Sequence, residues 1–233
     1  MSARSIACAW LGRVDYRPAL GVQEELAAAR QSGAIDDTLL LLEHPHVYTL
    51  GRGAAEHFVV APPPGVPIHR VSRGGQVTYH GPGQLVGYPI LKLEGAARDV
   101  HLYLRSLEET IIQSLRQYGI QAGRRAKLTG VWVGGRKIAS IGVGIRRWTT
   151  LHGFALNVNC DLSFFDGIVP CGIDGCRMTS IAREGRDDVE VAGAARSIAD
   201  RFAAVFGCDS RWIDAAEVWR IARADSGLEA DCG

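Results

Sequence analysis

The apolar residues of this chain come in short runs, and that limits its fold more than any other feature. Thr38 to Leu42 is continuous, is stopped by His44-Pro45, and is followed by Val47 to Leu50. Ile68 to Ser72, Gln84 to Ile90, Gly130 to Val133, Lys137 to Ile145 and 153–158 repeat the pattern, and residues 5–11 begin it. Runs this short are poor isolated helices and suit buried strands. Gly134-Gly135 between two of them is a hairpin signature. Helical periodicity is confined to the flanks and one interior segment. Residues 19–31 carry Leu20, Glu24, Glu25, Leu26 and an alanine-rich stretch, with Gly33 as a stop. Val100 to Tyr118 is the clearest helix, with Leu104, Leu107, Ile111, Ile112 and Leu115 at helical spacing and Gly119 behind it. Helices are expected near 190–206 and 212–223, with the last ten residues frayed.

Strands in the middle bracketed by helices predict an α+β fold, a mixed β-sheet flanked by helices, rather than regular βαβ alternation. Residues 61–67 carry four prolines. Strand-like sequence resumes at once, so this is a loop rather than a linker, and residues 1–233 are expected to form a single domain.

Bulk properties exclude several classes. Among 233 residues, 26 are Lys or Arg and 25 are Asp or Glu. No global field draws the chain to nucleic acid or anionic lipid. No run of roughly 18 apolar residues is present, so no membrane span is expected. The six cysteines, at 8, 160, 171, 176, 208 and 232, have irregular spacing. They read as reduced thiols of a cytoplasmic protein rather than a disulfide framework.

Three segments carry more than structural information. The first runs Arg73-Gly74-Gly75-Gln76-Val77-Thr78-Tyr79-His80-Gly81-Pro82-Gly83-Gln84. Its glycines let backbone and ligand approach closely, and its polar groups sit between two apolar strands. A solvated turn is the plainer reading, and neither a dinucleotide nor a P-loop spacing is present. The second is Lys127 to Gly142, where Lys137 opens a very apolar strand. Such a lysine either holds a neighbouring negative charge, loses its proton, or covers apolar surface with its stem. The third is Ile168-Val169-Pro170-Cys171-Gly172-Ile173. Pro170 fixes the chain before the thiol and Gly172 removes bulk after it, so Cys171 is either an inert buried thiol or a presented nucleophile. His80 and His152 each read as a positioning group or a hydrogen-bonded structural histidine. Zinc on His152, Cys160, Cys171 and Cys176 is not expected, because no Cys-x-x-Cys pair occurs.

Taken together, residues 35–182 resemble the lipoyl (octanoyl) transferase family, the lipoate biosynthesis protein B group. The resemblance rests on Glu43-His44-Pro45, Tyr48 to Gly51, RGGQVTYHGPGQLVGYPI at 73–90, GVWVGGRKIASIG at 130–142, HGFALNVN at 152–159 and IVPCGI at 168–173, with Met178 to Ile181 behind. It implies the fold of biotin and lipoate protein ligases. It implies transfer of an octanoyl group from octanoyl-acyl carrier protein to a lysine of lipoyl domains. The acceptors would be those of 2-oxoacid dehydrogenase complexes and the glycine cleavage H protein. Cys171 would carry the acyl thioester, and Lys137 would lower that cysteine's pKa. Arg73, Gly74, Gly75, Gln76, Val77, Thr78, Tyr79, His80, Ser140, Ile141, Gly142, Gly153, Phe154 and Ala155 would bind substrate. The apolar residues near Ile141, Phe154 and Leu156 either line an acyl path or, as is expected for most of them, belong to ordinary core, and backbone amides at Gly75 to Thr78 or Cys171-Gly172 would stabilise the oxyanion. No metal or other cofactor is implied, and the protein is expected to act as a monomer. Cys176 departs from the family pattern. The rival readings are an ATP-dependent ligase on the same fold, which would not need Cys171, and a non-catalytic carrier-protein binding module.

Overall fold

A computed structural model describes residues 4–173 and 175–226. In chain order it contains β1 (Ser5–Arg13), α1 (Tyr16–Ser32), β2 (Asp37–Glu43), β3 (Val47–Leu50), β4 (Ile68–Arg70), β5 (Val77–His80) and β6 (Gln84–Ile90). These are followed by α2 (Val100–Gln117), β7 (Gly123–Arg125), β8 (Leu128–Val133), β9 (Arg136–Arg146), β10 (Thr149–Asn157), α3 (Val191–Phe206), β11 (Asp209–Trp212) and α4 (Ala215–Ser226).

Eight strands form one sheet in the order β11-β1-β2-β6-β10-β9-β8-β7. β1 runs parallel to both β2 and β11, and every other neighbour is antiparallel. The expected α+β class with a mixed, partly hairpin-connected sheet is what forms. The four leucines of β2 show why. Leu39 and Leu41 join the core under α2 and α3, with Leu107, Ile111, Ile198 and Phe202. Leu40 and Leu42 join the opposite core under α1 and α4, with Val22, Leu26 and Val218. A strand alternates faces at every residue, so an unbroken apolar run can serve only a sheet covered on both sides. Each buried leucine contributes about 2 kcal/mol of transfer free energy.

A second sheet, ordered β4-β3-β5, has its own core of Tyr48, Leu50, Val77, Tyr79, Phe165, Ile168 and Met178. It positions the glycine-rich motif over β9 and β10.

Local signals hold at several ends. Gly33 caps α1 at φ 83. The side chain of Asp99 accepts the amides of His101 and Leu102 at the start of α2. Gly134 (φ 51) and Gly135 (φ 87) supply the two positive φ angles that a tight hairpin turn needs.

Four details differ from the sequence reading. Residues 77–80, expected within a turn, form β5, paired with β3. Ser72 lies beyond β4, which stops at Arg70. Trp212 belongs to β11 rather than a helix; α4 starts at Ala215, where Asp214 accepts the amide of Ala216. β7 and β11 are additional strands, short and charged, at the sheet edges and without an alternating pattern to announce them. Of the residues expected to fray, 224–226 continue α4, and 227–233 lie outside the described residues.

Candidate active site

Lys137 enters the site from the start of β9. Its side chain is only 1% exposed, and burying an unpaired ammonium costs several kcal/mol. Its Nζ donates to Cys171 Sγ at 2.9 Å and lies 5.4 Å from the centre of the Trp132 ring. Backbone bonds fix this meeting. The amide of Lys137 donates to the Arg177 carbonyl at 2.8 Å, and the Thr179 amide donates to the Lys137 carbonyl at 2.9 Å. The chain just after the cysteine turn is therefore laced to β9 at the lysine itself. Gly130 makes room for the stem: a Cβ there would fall 2.7 Å from Lys137 Cε and from the Ala139 carbonyl oxygen. That glycine also holds φ 131, and its amide donates to buried Glu108.

Cys171 sits in a single helical turn, Pro170–Gly172, at φ 57. Left-handed backbone at a non-glycine residue is strained, and such strain gathers at functional sites. The thiol is partly exposed, and Ser140 Oγ lies 3.8 Å away. Gly172 packs beneath Gln76 and Phe58; a Cβ there would meet Gln76 Cγ at 3.0 Å. The Gly172 amide donates to the Val169 carbonyl at 3.0 Å, which removes it from the expected oxyanion donors.

These groups open on a cavity of about 190 Å³ between the glycine-rich motif and the β9–β10 floor. Of the residues singled out from sequence, Arg73, Gly75, Gln76, Val77, Thr78, His80, Lys137, Ser140, Ile141, Gly142, Gly153, Phe154, Ala155 and Cys171 line it. Gly74 and Tyr79 do not. The Gly74 amide donates to Val143 O, and the Tyr79 hydroxyl meets His46 Nδ1 at 2.8 Å in the core of the small sheet. Leu156, for which acyl path and ordinary core are both open in the sequence, packs in the core on the opposite face.

The Arg73 guanidinium is buried and spent on structure: it donates to Thr49 O and Oγ1 and to the carbonyls of Gly74 and Gln76. Burial lowers its pKa. The chain of bonds continues from the Thr49 hydroxyl to His80 Nε2, and from His80 Nδ1 to Gln84 Oε1. Gln84 then donates to Asn157 Oδ1, and Asn157 to the Thr179 carbonyl. Both ring nitrogens of His80 are thus committed, and burial holds its pKa well below the usual value. Its geometry is that of a locked neutral ring supporting the site.

In contrast, Gln76 Oε1, Thr78 Oγ1 and His152 Nδ1 are buried along the same cavity and have no partner. Elsewhere, burial pushes the thiols of Cys8 and Cys160 up to about 12. Among the described residues no group of three or more potential metal ligands is found, and no helix is long and apolar enough to cross a membrane.

Residues 15–203 match the model of the lipoyl protein ligase A/B catalytic domain. Proteins named octanoyltransferase are similar over most of their length. One from Solibacter usitatus is 60% identical over 168 residues, covering 70% of this chain and 76% of its own. One from Rubrobacter xylanophilus is 48% identical over 205 residues, covering 84% and 91%. The chain belongs to the octanoyltransferase family. Solved structures agree on the fold. A chain of the bipartite lipoate protein ligase system of Thermoplasma acidophilum aligns with TM-score 0.72 at 19% identity, over 100% of both chains. The biotin protein ligase of Aquifex aeolicus aligns at TM-score 0.52 and 15% identity, over 86% of this chain and 68% of its own.

In this octanoyltransferase-family chain, the cavity also takes in residues outside the expected substrate-binding set: Tyr16, Tyr88, Lys127, Leu128, Thr129, His152 and Ile173. Tyr16 opens α1 and carries no local signal. Tyr88 reads in sequence as an ordinary strand residue, yet its hydroxyl bonds His44 Nε2 at 2.7 Å. Lys127 stands at φ 63 in the turn between β7 and β8, a hairpin whose first strand has no sequence signature.

Proposed function

We propose that this protein transfers an octanoyl group from an acyl carrier protein thioester to a lipoyl-domain lysine, through an acyl thioester on Cys171. The observation that carries the reading is the contact of Lys137 Nζ with Cys171 Sγ at the mouth of a partly apolar cavity. Acyl exchange between thioesters is nearly balanced in energy, so a thiol can both accept and release the chain.

The proton balance closes without an outside acid or base. Cys171 thiolate attacks the donor carbonyl carbon, the bond to the pantetheine sulfur breaks, and that sulfur takes a proton from the Lys137 ammonium. The acceptor amine then attacks the acyl-Cys171 carbonyl and loses a proton to Lys137 as the amide forms. The C–S bond breaks and the thiolate–ammonium pair is restored. The unpartnered Thr78 Oγ1 and Gln76 Oε1 are suited to a carbonyl oxygen and to an incoming N–H, respectively. The acceptors in this reading are lipoyl domains of 2-oxoacid dehydrogenase complexes and the glycine cleavage H protein. The setting is a reducing cytoplasm, where a free thiol persists, and the protein acts as a monomer.

The experiment is direct. The full chain is incubated with octanoyl-acyl carrier protein, and its intact mass and modified residue are read. One octanoyl group on Cys171 is expected, with none on Cys171→Ser. Acceptor acylation that persists in Cys171→Ser and depends on ATP would instead support the ligase reading. No acyl gain and no transfer would leave a binding module.

A further inference from the structure

Two cavities lie end to end along β9. The first holds Cys171. The second, about 510 Å³, is bounded by α1 residues Ala27 and Ala28 and by Arg52, Ser72, Gly144 and Leu151. Ser140, Gly142 and Gly144 occupy alternate positions of β9 and so share one face of the sheet. The first two lie under the inner cavity and the third under the outer one. A partition stands between the two spaces, and part of it is backbone: the Gly74 amide donates to Val143 O at 2.8 Å, and a Cβ on Gly142 would lie 2.9 Å from the Gly74 carbonyl oxygen.

The partition includes His152. Strand alternation would turn His152 away from the face that Leu151 and Gly153 present, yet it lines the inner cavity beside Gly153. The cause is its backbone: φ is 57, a left-handed conformation rare outside glycine. Its amide is tied to Gln23 Oε1 at 2.9 Å, and its Nε2 meets Ser72 Oγ at 3.1 Å. The ring lies directly over Gly144, where a Cβ would stand 3.3 Å from His152 Cδ2. Nδ1 is buried without a partner, and Ser72 is exposed. A strained residue, its ring held by one hydrogen bond, thus stands between an acyl-sized cavity and an open cleft.

Distance gives the partition a meaning. Ser140 Oγ is 3.8 Å from Cys171 Sγ, and His152 pairs with Val143. Val143 lies three positions beyond Ser140, about 10 Å along a strand. An extended octanoyl chain on Cys171 has a similar reach.

We infer that the His152 ring, latched by Ser72, sets the acyl-length limit, and that the outer cleft is a second acyl subsite. Chains longer than octanoyl enter it when the ring is removed, laying their ends against Ala27, Ala28 and Leu151. The inference rests on the acyl-Cys171 reading above.

The test uses the full chain with acyl carrier protein charged with octanoyl or with dodecanoyl, and follows acyl-Cys171 formation by intact mass. His152→Gly removes the ring and suits the left-handed backbone. The ratio of dodecanoyl to octanoyl rates should rise at least about tenfold over the parent in His152→Gly, and by a smaller factor in Ser72→Ala. An unchanged ratio in folded His152→Gly overturns the inference. If that variant does not fold, an unchanged ratio in Ser72→Ala overturns it instead. Failure of the parent to take octanoyl on Cys171 is a different result, and it overturns the transferase reading itself.

Discussion

Lys137 and Cys171, 34 positions apart, meet at 2.9 Å because residues 177–179 are hydrogen-bonded to the backbone of Lys137 itself. The contact is built from backbone outward, so it does not depend on two flexible side chains finding each other. The buried Lys137 nitrogen thereby finds a hydrogen-bond acceptor in the Cys171 sulfur.

That arrangement predicts a selective loss in Lys137→Met, which keeps the apolar stem and removes the charge. Octanoyl transfer should fall by about 100-fold or more, the scale of a lost acid–base group. Alkylation of Cys171 by iodoacetamide at neutral pH should slow in parallel, since the thiolate is the reacting form. Far-UV circular dichroism should stay that of the parent. Parent-like alkylation in a folded variant would show that the lysine does not act on the sulfur.

Gly130→Ala is expected to reach the same pair from behind. A Cβ at φ 131 would press on Lys137 Cε and the Ala139 carbonyl, each at 2.7 Å. Strained backbone and a close contact together should cost about 2 kcal/mol of stability, read from the urea midpoint. Transfer activity should drop further than stability explains, because the displaced atom is one bond from the ammonium. At Gly135 an added Cβ would meet nothing within 4 Å, although φ is 87. Gly135→Ala should therefore lose stability only.

How much of this can be read from sequence follows from the range of each signal. β2 and α2 are legible because run length and helical spacing are local. Lys137 and Cys171 are legible only as two unusual residues in two motifs, and their common role comes from a resemblance covering 35–182. Their contact is set by the Arg177–Thr179 lacing, which has no local signature. For His80 the sequence leaves two roles open, and it does not show that Thr49 and Gln84 occupy both ring nitrogens. The place of His152 is hidden, because it depends on a positive φ that nothing in LHG announces. Gly74 and Tyr79 belong to the right motif but lie off the cavity, and for Tyr79 the cause is β5 forming where a turn is expected.

The buried histidines make a last prediction, on acid stability. Burial depresses His44 and His152 to about 4, from an ordinary value of 6.5, and holds His80 well below that ordinary value too. In this window the unfolded chain binds protons that the folded chain refuses, so stability rises with pH and is lost as pH falls from about 6.5 toward 4. Each histidine can contribute a slope of up to about 1.4 kcal/mol per pH unit. Folded His44 donates from Nδ1 to the Val14 carbonyl and accepts the Tyr88 hydroxyl at Nε2, so protonation also breaks the second bond. Urea midpoints taken across the window should fall steeply in the parent and less steeply in His44→Gln. A parent curve flat between 6.5 and about 4 would mean that these rings take up protons in the fold as readily as in the unfolded chain, contrary to their buried, neutral hydrogen-bonding pattern.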